Sequence, residues 1–214
     1  MDKGPAWGDT LVSAIIFIEG GGDAKDLTIR CREGFHKLLD RCGITGRKPR
    51  FRPCGGRAAV FDAFSTAHST RPRGEYVAML IDSEEPLADI EAAWKHLQEV
   101  ETVPRWKKPK GAGDEQVMFM TTCMETWIVA DRATLRKHYL ELQETALPPL
   151  VDLEKRSRHD VQDMLAHATR NCPNCYAKGK RSYEILGKLE PPALGRRLPS
   201  FVRVRRILEK NLRP

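Results

Sequence analysis

The chain has no long hydrophobic run: its longest apolar stretch is about six residues, around Ser13 to Ile18. A membrane-spanning helix needs roughly 20, so a soluble protein is expected. The opening residues, MDKGPAWGDT, lack the apolar core and cleavage site of a signal peptide, which makes the cytoplasm the expected location. There is no G-x-x-x-x-G-K-[ST] loop, so the chain is not expected to be a P-loop ATPase, and any ATP-driven step falls to a partner. Cysteine is sparse, at 31, 42, 54, 123, 172 and 175. In the cytosol these are expected to be thiols. Cys31, Cys42 and Cys123 fall in helical patterns and read as small core residues. Cys172-Pro-Asn-Cys175 has zinc-knuckle spacing, but a structural zinc takes four ligands and no second pair occurs. His159 and His167 are the nearby residues able to complete a site. A plain turn is the expectation and zinc the alternative.

What is present is an ordinary globular balance of 41% hydrophobic and 30% charged residues over 214 positions. That is enough for one α/β domain, or one with a small appendage. Net charge is +7. A basic surplus favours phosphate backbones, although many soluble proteins are mildly basic, and the distribution says more than the total. Basic residues crowd Arg47 to Arg57, Arg105 to Lys110, Lys178 to Arg181 and Arg196 to Arg213. The acidic residues that look functional stand elsewhere, at strand ends.

Hydrophobic periodicity predicts strand SAIIFIEG, then a helix carrying Leu27, Cys31, Phe35, Leu38 and Leu39 and stopping near Gly43. A strand from Arg50 to Cys54 and a helix with Val60, Phe61 and Phe64 inward follow. EYVAMLID is a continuous apolar run ending in acid, the pattern of a strand covered on both faces. Next are predicted a helix over 87–98, a mobile Lys/Pro/Gly-rich loop over 100–115, strand QVMFMTT, and one helix over 123–140. Alternating strands and helices make a doubly wound α/β sheet whose site gathers at the strand carboxyl ends. The expected domain spans 10–146. From 147 to 214 the pattern gives a helical extension, with helices near 158–169, 180–188 and 199–211.

Two acidic features end strands. Glu19 is followed by Gly20, Gly21 and Gly22, which allow a tight turn and close approach of a phosphate. Asp82 and Glu84 are two apart, on one side of an extended chain, where they can hold Mg²⁺ or Mn²⁺. Acids after strands also serve as helix caps. Arg57, after Gly55-Gly56, suits a phosphate or simply a turn. Glu125 is a further metal ligand or a solvated charge. Lys178 and Lys180, around Gly179, suit phosphate contact or a basic loop. Trp127 and Tyr139 read as core.

An apolar strand ending in Glu-Gly (VSAIIFIEGGGDAK) and another ending in an acidic pair (YVAMLIDSEEP) resemble the TOPRIM domain, with Glu84 in place of the usual second Asp. TOPRIM domains occur in topoisomerases, bacterial primases, recombination proteins and overcoming-lysogenization-defect nucleases. The chain is also similar, over roughly 15–190, to a bacterial TOPRIM-like family of unknown function. The segments concerned are EGGG, CREGFHKLL, CGGR, DSE, CMETWIVAD and YxKG at Tyr176 to Gly179. The resemblance implies a Rossmann-like, mostly parallel sheet flanked by helices, and Mg²⁺ or Mn²⁺ on Glu19, Asp82, Glu84 and Glu125. It implies a phosphodiester-cutting nuclease of DNA or RNA, with Gly20, Gly21, Gly22, Arg57, Lys178 and Lys180 on the phosphates. It also implies service in phage defence beside an ABC- or SMC-like ATPase. Strand-rejoining relatives use a tyrosine in another domain, and primases a zinc domain; neither fits here. A non-catalytic partner of that ATPase, and an enzyme acting on small phosphate esters, are the alternatives.

Overall fold

The computed structural model describes residues 14–22, 24–44, 48–100 and 106–212. The expected domain start at residue 10 and the first part of the Lys/Pro/Gly-rich loop lie outside them. Strands β1 (Ala14–Ile18), β2 (Arg50–Pro53), β3 (Tyr76–Asp82) and β4 (Val117–Met120) form one sheet in the order β2-β1-β3-β4. Every pairing is parallel. The apolar runs are continuous because both faces are covered. Ile16, Ile18, Leu80, Met118 and Met120 share one core cluster, and Ile15, Phe17, Val77, Met79, Ile81 and Phe119 another. β2 is an edge strand, and it is here that exposed Arg50 and Arg52 and a terminal proline are tolerated.

Helix α1 (Lys25–Arg41) joins β1 to β2, and α2 (Arg57–Thr70) carries the chain back across β1 to β3. The strand order therefore reverses between β1 and β3, which opens a crevice beyond their carboxyl ends. Val60 and Phe64 of α2, with Trp94 and Leu97 of α3 (Ala93–Glu99), cover one face. The other face takes Cys31, Phe35, Leu38 and Leu39 of α1 and residues from 147 onward. Those later residues form α6 (Arg158–Thr169), α7 (Lys180–Leu186), α8 (Pro191–Gly195) and α9 (Pro199–Asn211). Phe201, Val204 and Leu208 of α9 lie in the same cluster as Ile16 and Leu80, and Phe201 meets Trp127 edge-on with centroids 5.1 Å apart. Trp127 and Tyr139 are fully buried. None of the described helices is long and apolar enough to cross a membrane.

The expectations and the structure differ in three places. The helix expected over 123–140 is two, α4 (Met124–Ala130) and α5 (Arg132–His138). Asp131 leaves helical geometry between them; its Oδ1 accepts from Thr134 N at 3.1 Å and its Oδ2 from Glu190 N at 2.8 Å. Helix α3 starts at Ala93 rather than near 87. The described part of the loop expected to be mobile is pinned: Trp106 is buried and stacks on Phe61 with centroids 4.4 Å apart, and Trp94 Nε1 donates to Gly113 O at 3.0 Å.

Helices α1 and α7 pack at Gly34. A Cβ built there would lie 2.6 Å from the backbone oxygen of Tyr183. In an open helix Gly→Ala stabilises by up to about 1 kcal/mol. Here the clash is with backbone, which cannot step aside, and overpacking of this kind costs about 1–3 kcal/mol. Gly34→Ala is therefore expected to lower stability in urea unfolding; a gain would show that α1 and α7 separate freely.

Candidate functional site

Glu19 directly follows β1. The chain then turns through three left-handed glycines, Gly20, Gly21 and Gly22, with φ of 123°, 82° and 54°. Side chains rarely adopt such angles. The turn is locked onto the segment after β2: Gly20 N donates to Gly55 O at 2.8 Å, and Gly55 N to Gly20 O at 2.9 Å. From α7, the Tyr183 hydroxyl accepts from Gly21 N at 2.7 Å. Asp82 ends β3, and its Oδ1 accepts from Met124 N, the first residue of α4, at 2.9 Å. One residue on, Glu125 sits in the first turn of α4. Glu19, Asp82 and Glu125, with Lys178, line one open cleft of about 520 Å³ at the switch point. The three glycines form its wall.

Around the cleft Glu19 and Asp82 are half-buried and Glu125 is buried. Glu19 Oε2 accepts from Asp82 N at 3.1 Å. Burial raises the Glu19 pKa from 4.5 to about 7; Arg57, the Asp82 N–H and Lys178 pull it back, while Glu84 pushes it further up. Asp82 is raised well above the ordinary carboxylate range, by burial first and then by the charges of Glu19 and Glu125. Glu125 is 1% exposed and accepts from the Tyr176 hydroxyl and, at 3.2 Å, from Gln162 Nε2. It is a buried member of the cluster and no solvated charge.

Glu84 departs from expectation. Its φ of 67° is left-handed, so the chain after Asp82 is not extended and the two side chains do not share a side. Its carboxylate is paired with Arg158, the first residue of α6, and lies 3.9 Å from Arg57 Nη1, and it does not line the cleft. Arg57 departs too. It is buried, donates to the Asp82 carbonyl, lies 5.5 Å from the Trp106 ring centre, and does not line the cleft. Lys178 lines the cleft; Lys180, exposed at the start of α7, does not. Tyr183 and Gln162 were missed because at helical spacing they look like ordinary helix residues. Among the described residues no group of three or more His, Cys, Asp or Glu is drawn together as a metal cage. In particular, neither His159 nor His167 joins Cys172 and Cys175, so the zinc alternative has no ligand set there.

Sheet and cleft together define an α/β protein with an acidic centre at the carboxyl ends of parallel strands. The chain matches a family described as Domain of unknown function (DUF4276) over residues 18–209, and it belongs to that family. No curated protein and no solved structure matches it.

The raised Glu19 pKa sets a sign for stability. The folded protein holds this proton more tightly than the unfolded chain, so stability falls as pH rises from about 4.5 to about 7 and stays lower above. A rise of that size corresponds to roughly 3 kcal/mol as an upper bound. Glu19→Gln keeps an acceptor for Asp82 N and removes the charge. In EDTA it should stabilise the protein by about 1–3 kcal/mol at pH 8 and leave it unchanged near pH 4.5. Urea unfolding at both pH values checks this; equal effects at both would mean that Glu19 is not desolvated.

Proposed function

We propose that the chain is a metal-dependent phosphodiester hydrolase of the TOPRIM kind, acting on DNA or RNA. The observation that carries this reading is the convergence of Glu19, Asp82 and Glu125 on one cleft beside a left-handed glycine turn and Lys178. The donor chemistry fits Mg²⁺ or Mn²⁺, since all three groups are hard oxygen donors. Their mutual repulsion, seen in the raised Asp82, is what a divalent cation would relieve. Mg²⁺ keeps several waters and takes only one or two carboxylates directly, so a closed cage is not required beforehand. Glu19, Asp82 and Glu125 would hold the ion, which supplies polarisation of a phosphoryl oxygen and a more acidic water.

The chain's own residues supply the rest. If Asp82 and Glu125 suffice to hold the ion, Glu19 is the carboxylate left to accept a proton from an attacking water. Asp82 is fixed by Met124 N, and Glu125 by Tyr176 and Gln162, so two carboxylates are oriented before substrate arrives. The glycine turn lets a phosphate approach the backbone, and Lys178 offers it a cation.

The resemblance extends the reading to an effector of phage defence working with an ABC- or SMC-like ATPase, which would supply the ATP-driven step this chain has no loop for. A second reading, a non-catalytic subunit of that ATPase, is favoured by one observation. The acidic groups are not drawn together as a cage.

The test is incubation of the purified protein with plasmid DNA and total RNA in Mg²⁺, Mn²⁺ or EDTA. Metal-dependent cutting is expected, falling by ~100-fold or more in Asp82→Asn. Activity that persists undiminished in Asp82→Asn, or in EDTA, contradicts the assignment. Lys178→Ala should weaken nucleic-acid binding and flatten its salt dependence by about one unit of slope; an unchanged slope would remove Lys178 from the substrate path.

A further inference from the structure

The Cys172-Pro-Asn-Cys175 segment has no part in the reading above. It is a tight turn between α6 and α7, closed by Cys175 N donating to Cys172 O at 2.9 Å. Such a four-residue turn brings its end Cα atoms within about 7 Å, an interval that takes in the range of about 4.4–6.8 Å that a disulfide spans. The two thiols differ. Cys172 is 4% exposed, whereas Cys175 is half-buried and has Arg181 Nη1 3.3 Å from its sulfur. Cys175 is therefore the sulfur that a small disulfide can reach first. The Tyr139 hydroxyl is buried with no hydrogen-bond partner, and both sulfurs act on it electrostatically.

The turn also leads directly into the cleft. Tyr176, which follows Cys175, donates to Glu125, and Lys178 lines the cleft two residues later. Arg181 Nη1 holds the Cys175 carbonyl at 2.6 Å as well as its sulfur.

We propose that Cys172 and Cys175 are a dithiol modification site for low-molecular-weight disulfides, and that its oxidation shifts the Tyr176–Lys178 segment bordering the cleft. The Cys175 thiolate, its proton passed to solvent, attacks one sulfur of the small disulfide. A mixed disulfide forms and one small thiolate leaves, which takes a proton from solvent. Cys172 then loses its proton, and its sulfur displaces the second small thiolate, which is protonated in turn. The protein gains one S–S bond and loses two S–H bonds, while the small disulfide is reduced to two thiols. Closing the bond draws the Cys175 sulfur off Arg181 and moves the backbone that presents Tyr176 to Glu125. The chemistry of the pair stands apart from the proposed function; only its effect on metal or substrate rests on that reading.

The test uses the full chain equilibrated in glutathione buffers of increasing glutathione disulfide, followed by alkylation, peptide mass mapping and hydrogen–deuterium exchange. Cys172 and Cys175 are expected to lose alkylation together, with an internal disulfide in their shared peptide, while Cys31 and Cys123 stay reduced in the core. Amides over 176–183 should lose protection on oxidation, and a Cys172→Ser, Cys175→Ser double variant should show no such loss. A glutathione adduct on Cys175 alone, or both thiols free at the most oxidising ratio, overturns the site. A disulfide with unchanged exchange over 176–183 overturns the coupling. Absence of nucleic-acid cutting in either redox state would count against the proposed function and leave the dithiol result standing.

Discussion

The structure turns on carboxylates gathered at one cleft and partly withdrawn from water. Glu19 follows β1, Asp82 ends β3 and Glu125 lies in the first turn of α4, and burial drives the first two toward their protonated forms, helped at Asp82 by the charges of Glu19 and Glu125 and at Glu19 by that of Glu84. A fold selected for stability alone would not gather them. The surroundings read as compensation. Main-chain N–H groups of Asp82 and Met124 are aimed at carboxylate oxygens, and the charges of Arg57 and Lys178 pull the Glu19 pKa back down.

The cleft is assembled from both halves of the chain. The sheet supplies the acids and the glycine turn, but the turn is held by Tyr183 from α7, and Glu125 by Tyr176 and Gln162. Helix α7 comes close enough to do so because Gly34 of α1 has no side chain. The residues after 147 therefore close one face of the sheet and also set the geometry of the acidic centre. Beside it, Arg158 of α6 takes up Glu84, and so removes from the cleft an acid that sequence spacing placed within it.

Much of this was legible in the residues. Continuous apolar runs such as Tyr76 to Ile81 mark doubly covered parallel strands, and the acids closing two of them locate the crevice before the strand order is known. The failures share a cause: each depended on backbone turns or long-range partners that pairwise spacing does not encode. The i, i+2 rule puts Asp82 and Glu84 together only in extended chain, and the left-handed turn at Glu84 cancels it. Asp131 interrupts a pattern that reads as one helix, because its carboxylate has partners on α5 and at Glu190. Arg57 looks like a phosphate ligand after two glycines, yet a distant backbone carbonyl at Asp82 claims it. Glu125 stood at even standing between surface and site until tertiary packing buried it beside Asp82.

The central claim is that the acids of the cleft, and not the pair two apart in sequence, form the cation site. Isothermal titration of Mn²⁺ into the protein and into Glu125→Gln and Glu84→Gln tests it most directly. The account predicts binding by the unaltered protein and by Glu84→Gln, weakened by at least ~10-fold in Glu125→Gln, the scale on which altering a metal's supporting groups is felt. Binding lost in Glu84→Gln and kept in Glu125→Gln would contradict it, as would an unaltered protein that binds no Mn²⁺.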